Sequence, residues 1–175
     1  MKLTSIFVIL LSTQFGFSQS DSSTQKTSFA KDNYKIQYPK TWRLDTSKVM
    51  GTELFIFSPL ENSSDKFSEN ANILIQDLSG QNIDLAKYKE ITDKQLIEMV
   101  TDYKVFESSI KNIDNRNYFK IIYAMTQGKF RLKITSICFI KNDKAYLATF
   151  SSEFDKYEQY KYLSEDILNS FRLTK

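Results

Sequence analysis

The chain has 175 residues, with 24 Lys and Arg against 21 Asp and Glu, one cysteine, four glycines and no histidine. Without histidine there is no His-based triad, general base or metal ligand, and a single thiol cannot form an intrachain disulfide or a thiolate metal site. A formal charge of +3 gives no electrostatic case for nucleic acid or an anionic membrane as partner.

Residues 1–18 read as a secretory signal peptide. Lys2 supplies the charge, Ile6–Leu11 the apolar run, and Gly16-Phe17-Ser18 the small residues for cleavage after Ser18. The apolar run is far short of the roughly 20 residues of a spanning helix, so no integral membrane segment is expected after cleavage. No cysteine lies near the cleavage point to carry a lipid. The expected destination is the periplasm or the cell exterior, and a lone cysteine there, Cys138, is expected to be buried and inert. Residues 19–28 are polar and read as a flexible tether, leaving 29–175 as a single domain.

Asn33–Tyr38 alternates as a strand, which Pro39 closes because it cannot donate to a ladder. Trp42 is a candidate ligand-stacking residue, although an aromatic in that place more often anchors a sheet edge. Glu53–Phe57 is a short strand. Leu60–Ala71 is polar and holds Glu61, Asp65 and Glu69. It lacks the alternating oxygen ligands and the glycine of a calcium loop, so a solvated loop is expected. Asn72–Leu78 is a further strand. Asp84 caps a helix reaching Tyr103, whose apolar face is Leu85, Tyr88, Thr92, Leu96, Met99 and Tyr103.

Four strands follow in a row: Lys104–Ile113, Tyr118–Thr126, Lys129–Lys141 and Lys144–Ser152. Gln127-Gly128 and Asn142-Asp143 make two of the turns between them, the second a tight-hairpin signal. Lys129, Arg131 and Lys133 fall on one parity and could dock an acidic partner, or simply form a solvated, edge-protecting face. A second helix, Asp155–Asn169, opens on a capping box of Asp155 and Glu158 and presents Tyr157, Tyr160, Leu163, Ile167 and Leu168 inward.

The strand block is apolar on both parities, so it needs a covering layer on each side. The expected fold class is α+β: a mainly antiparallel sheet of about six to seven strands with helices on both faces. Gly16, Gly51, Gly80 and Gly128 are scattered, so there is no phosphate-cradling loop, and no cofactor is expected. A carboxylate-pair hydrolase of envelope polysaccharide survives, with no pair singled out. The 14 Phe and 10 Tyr leave room for an apolar-ligand carrier.

An early strand ends Tyr38-Pro39-Lys40-Thr41-Trp42, and a second carries Phe55-Ile56-Phe57-Ser58-Pro59. The strand Asn72-Ile73-Leu74-Ile75, a helix, a four-strand meander and a last helix closing Ile167-Leu168-Asn169-Ser170-Phe171-Arg172 follow. This series resembles the PsbP-like family, whose wider fold includes the Ran-binding nuclear-transport factor. The resemblance spans residues 29–173 and implies an α/β/α sandwich acting as a binding or assembly module rather than an enzyme. It implies no site residue, because the motifs it rests on are structural. The reading reached from the sequence is a secreted, non-enzymatic binding protein whose partner is a protein or small ligand.

Overall fold

A computed structural model describes residues 25–113 and 115–174. The segment expected to be a signal peptide lies outside the described residues. The central meander forms as its alternation dictates, from β6 (Lys104–Ile113), β7 (Arg116–Gln127), β8 (Phe130–Lys141) and β9 (Lys144–Glu153). Asn142 and Asp143 both take positive φ, 52° and 53°, the left-handed pair that a two-residue hairpin between twisted strands requires. Gly128 turns β7 into β8 at φ 59°, where a side chain would be strained.

Three further strands extend this block: β3 (Arg43–Asp45), β4 (Leu54–Phe57) and β5 (Asn70–Asp77). Together they make a seven-stranded sheet in the order β3-β4-β5-β9-β8-β7-β6, with every neighbouring pair antiparallel. The two parities bury into separate cores. Ile137, Phe139, Tyr146, Ala148 and Phe150 point one way, with Leu54, Ile56, Ala71 and Ile73. Phe119, Ile121, Cys138 and Ala145 point the other way. Helices α1 (Leu85–Met99) and α2 (Tyr157–Ser170) cover opposite faces, as the two apolar parities demand.

A second, smaller sheet was not foreseen. It joins β1 (Lys26–Lys31), β2 (Tyr34–Pro39) and β10 (Arg172–Leu173) in the order β1-β2-β10. It shares the α2 side, where Tyr34, Ile36 and Tyr38 enter the same core as Ile167, Leu168 and Phe171. Strand β1 also shortens the expected tether, because Lys26, Thr27 and Ser28 pair with Pro39, Tyr38 and Gln37.

Both helices differ from expectation at an end. Asp84 caps α1, its carboxylate accepting a hydrogen bond from the Lys87 N–H at 2.8 Å. The helix stops at Met99, not Tyr103, because Val100 is extended and Asp102 turns at φ 53°. Met99 is therefore exposed, and Tyr103 leaves the helix to rest on Tyr123 at 5.8 Å between ring centroids. No capping box opens α2. A 3₁₀ turn over Phe154–Lys156 leads straight into the helix, so there is no extended residue whose side chain could serve as cap.

Candidate functional site

The register of β6, β7 and β8 sorts their charges onto one face. Lys104 stands opposite Ala124, which stands opposite Lys133; Lys111 lies opposite Tyr118, and Thr126 opposite Arg131. With Arg116, Lys120 and Lys141, these strands bring seven cationic side chains to the face shared with α2. Glu107 is the one carboxylate they bring there. The α1 face of the same strands carries no charged side chain. Alternation thus places the apolar parity under α1 and the basic parity on the opposite face.

Helix α2 packs mainly over β2, β8 and β9, which leaves the β6–β7 part of that face partly open. Aromatic rings line the resulting shelf. The Lys133 ammonium lies 3.7 Å from the Tyr157 ring centroid and 4.7 Å from that of Phe106. Lys104 lies 5.3 Å from Phe106, and the Arg131 guanidinium 5.9 Å from Phe154. Such pairs hold long cationic side chains in place, and two of the cations also meet acids from outside these strands: Lys133 meets Glu158 of α2 at 3.4 Å and Arg131 meets Asp102 at 4.0 Å. Glu107 bridges Lys111 at 2.8 Å and Lys120 at 3.5 Å. Its own burial raises its pKa, but those two ammonium groups and the Ser109 hydroxyl outweigh this and hold it below the usual range.

Of the residues singled out from the sequence, Arg131 and Lys133 meet on this shelf. Lys129 does not join them. It lies in the turn before β8, over the Phe130 ring, beside an acid-lined concavity. Trp42 is 8% exposed and packs against Phe150 and Tyr160 at 6.1 and 6.4 Å, so it sits in the core rather than at a surface site. Lys104, Lys111 and Lys120 were missed. Each sits on its own strand at no telling spacing, and only the strand register unites them.

Next to the shelf, the loop that reads as solvated is pinned instead. Lys156 reaches Asp65 and Glu153 at 3.2 Å, Glu61 at 3.4 Å and Glu69 at 3.9 Å. Glu69 is fully buried, and its Oε1 accepts no hydrogen bond among the described residues. Desolvation pushes its carboxyl above the usual carboxylate range. Hydrogen bonds from the Glu61 and Phe67 N–H groups hold Asp65 below that range. Burial works to lower the Lys156 ammonium, but Asp65, Glu153, Glu69 and Glu61 together hold it above the ordinary lysine value. Tyr160 donates to Glu61 at 3.0 Å, tying α2 to the same loop.

The adjoining concavity, of about 360 Å³, is lined by Glu61, Asp65, Glu153, Lys156 and Lys129 among others, but not by Glu69. The acid that burial keeps protonated more readily than usual is therefore shut away from any substrate there, while Glu61, Asp65 and Glu153 hold a lysine. This arrangement is suited to fastening a loop rather than to delivering a proton. Among the described residues no group of acids is arranged to hold a metal ion. A larger concavity of about 620 Å³ lies at one end of the sheet. It mixes Leu85, Phe139, Ile140 and Leu173 with Asp84, Arg116, Asn117 and Lys141, a mainly apolar lining with a few polar groups at its margin. No helix among the described residues is long and apolar enough to cross a membrane.

Comparison with known proteins agrees with this architecture. The solution structure of the cyanobacterial PsbP of Synechocystis sp. PCC 6803 superimposes with a TM-score of 0.65 at 14% identity, covering 91% of this chain and 99% of that one. LpqN, involved in cell envelope biogenesis of Mycobacterium tuberculosis, gives 0.61 at 12% identity over 86% and 91%. At these identities the likeness is one of fold. A curated relative, a V-type proton ATPase subunit of Homo sapiens, is 37% identical over 73 residues, 42% of this chain. The chain spans only about half the length of that protein, 53%. The PsbP family model matches residues 24–173, almost the whole of the described chain, and this protein belongs to the PsbP family.

Proposed function

We propose that this protein is a non-enzymatic binding module of the periplasm or cell exterior that engages an acidic region of a protein partner. The observation that carries the reading is the segregation of charge on β6–β8, with seven cations and one carboxylate on one face and no charge on the other. Buried faces explain the uncharged parity. Nothing in the packing requires the other parity to be so one-sided, and a like-charged field of this kind steers an oppositely charged partner. Family membership and the fold shared with LpqN fit a binding or assembly role. The leader-like residues 1–18 and the single buried thiol support an exported protein.

The test is chemical crosslinking in envelope extract of the source organism with the wild type and a Lys104→Glu/Lys120→Glu/Lys133→Glu variant. One stoichiometric partner, released by 0.5 M salt and lost from the variant, is the expected result. Capture that charge reversal leaves unchanged would overturn the proposal.

The acid-lined concavity keeps one alternative open, a carboxylate-based hydrolase of envelope polysaccharide. Turnover of a polysaccharide substrate that Glu153→Gln or Glu61→Gln abolishes would establish it. Its absence across an activity screen leaves the binding reading standing.

A further inference from the structure

The large sheet divides the interior into two cores, and apolar residues of both come together at its end. Leu85 and Ile140 belong to the α1 side, Phe139 and Leu173 to the α2 side. All four line the concavity of about 620 Å³ described above, a volume within the roughly 300–1,000 Å³ of small-molecule sites. Phe139 is buried and the other three are half-buried, so among the described residues their wall is apolar yet within reach of a ligand. The acid at the margin, Asp84, is engaged at the start of α1 by the Lys87 N–H at 2.8 Å. The Arg116 guanidinium lies 5.8 Å from the Phe139 ring centroid.

Lys141 lines this concavity and also a smaller hollow of about 130 Å³, which it shares with Asn33, Asn142, Lys144, Tyr146 and Thr174. That lining holds no carboxylate. Lys141 and Lys144 stand directly opposite each other across the Asn142-Asp143 turn, where like charges destabilise a strand pair. Among the described residues neither lysine forms an ion pair. Asp77, opposite Lys144 on β5, feels its charge, but its Oδ1 accepts from the Ser79 N–H and hydroxyl. Beyond Lys144 a further hollow holds Glu53, which Lys31 pairs at 2.6 Å. Lys141 donates to the Thr174 carbonyl at 3.1 Å, which holds its ammonium at the junction and leaves its other N–H groups for a ligand. An anion between the two lysines would relieve their repulsion through charge-assisted hydrogen bonds.

We infer that this end of the sheet binds a single-chain amphiphile with an anionic head, of the fatty-acid carboxylate class. The chain lies along Leu85, Phe139, Ile140 and Leu173, and the head sits between Lys141 and Lys144. A purely apolar ligand would leave the two lysines without an anion. A small hydrophilic anion would leave the larger concavity unused. The site goes beyond the basic-face reading and does not rest on it, because Lys144 and the four apolar residues take no part in the shelf.

The test titrates the full protein at pH 8 with dodecanoate below its micelle-forming concentration, reading affinity by calorimetry and location by amide chemical shifts. Dodecanoate should shift Leu85, Leu173 and residues 139–144. Octanoate, dodecanol and dodecyltrimethylammonium should each bind at least tenfold more weakly, and acetate should not compete. Lys141→Gln/Lys144→Gln should weaken dodecanoate at least tenfold and leave dodecanol unchanged. Dodecanol as tight as dodecanoate, or a double variant that binds dodecanoate as the wild type does, overturns the anionic head. Acetate or inorganic phosphate as tight as dodecanoate shows a small-anion site and overturns the amphiphile. Shifts confined to Lys104, Lys120 and Lys133 would assign the anion to the basic shelf and overturn this site, as would no binding of dodecanoate at all.

Discussion

Lys156→Met is the sharpest probe of the acid cluster. It keeps the aliphatic stem and removes the ammonium that four carboxylates share. Glu61 and Glu153 have side chains 32% and 31% exposed, so losing their pairs costs little, at most about 1 kcal/mol each. Glu69 is different. It is wholly buried, and Lys156 is the ammonium that offsets its charge. Removing one partner of a buried pair costs roughly 3–5 kcal/mol, and the partly exposed lysine places this case near the lower figure, about 3 kcal/mol. For a chain of this size that is a fall in Tm of roughly 6–12 °C.

Guanidinium unfolding at pH 7 measures the loss, and Glu69→Gln in the same background should restore at least about 1 kcal/mol of it. The pH dependence carries a sign. The Glu69 carboxyl titrates above its unfolded value, so its ionisation costs stability as pH rises through the raised folded pKa. Glu69→Gln should therefore gain on the wild type more at pH 7 than at pH 4.5. A Lys156→Met protein within 0.5 kcal/mol of wild type, or a loss indifferent to Glu69→Gln, would show that the cluster fastens nothing.

Trp42→Ala should cost about 3–5 kcal/mol in the same unfolding assay, since the ring fills space between Phe150 and Tyr160; a loss under 1 kcal/mol would return Trp42 to the surface candidates. Burial pushes the Cys138 thiol well above its ordinary pKa, so a thiol reagent should label the folded protein at no more than the rate of global unfolding, and prompt labelling in native buffer would contradict the packing.

The meander and both helices were legible in the sequence because each strand shows its burial in its own residues: Phe119, Ile121 and Tyr123 on one parity, Tyr118 and Ile122 on the other. In the small sheet only β2 gave such a signal, through Tyr34, Ile36 and Tyr38. Strand β1 reads KTSFAK and is mostly exposed, and β10 is two residues long. What makes β10 a strand is Tyr34 and Lys35, well over a hundred residues away. The basic shelf was half visible. Arg131 and Lys133 announce it by alternation, but Lys104, Lys111 and Lys120 join only through register. Glu61, Asp65 and Glu69 were seen and read as solvated, since the lysine that gathers them belongs to the start of α2. Pairings distant in sequence leave no local trace, and that is where sequence reading failed.

The small sheet also bears on how the chain is completed. Strand β2 is flanked by β1 on one side and β10 on the other, and Tyr34 stacks near Phe171 at 5.8 Å. Synthesis delivers β2 well over a hundred residues before its second neighbour. Until Leu173 has emerged, Tyr34 and Ile36 lack their lid, and the nascent protein holds an unfinished hydrophobic seam that invites chaperones or premature association. Loss of β10 would then resemble a late arrest in folding.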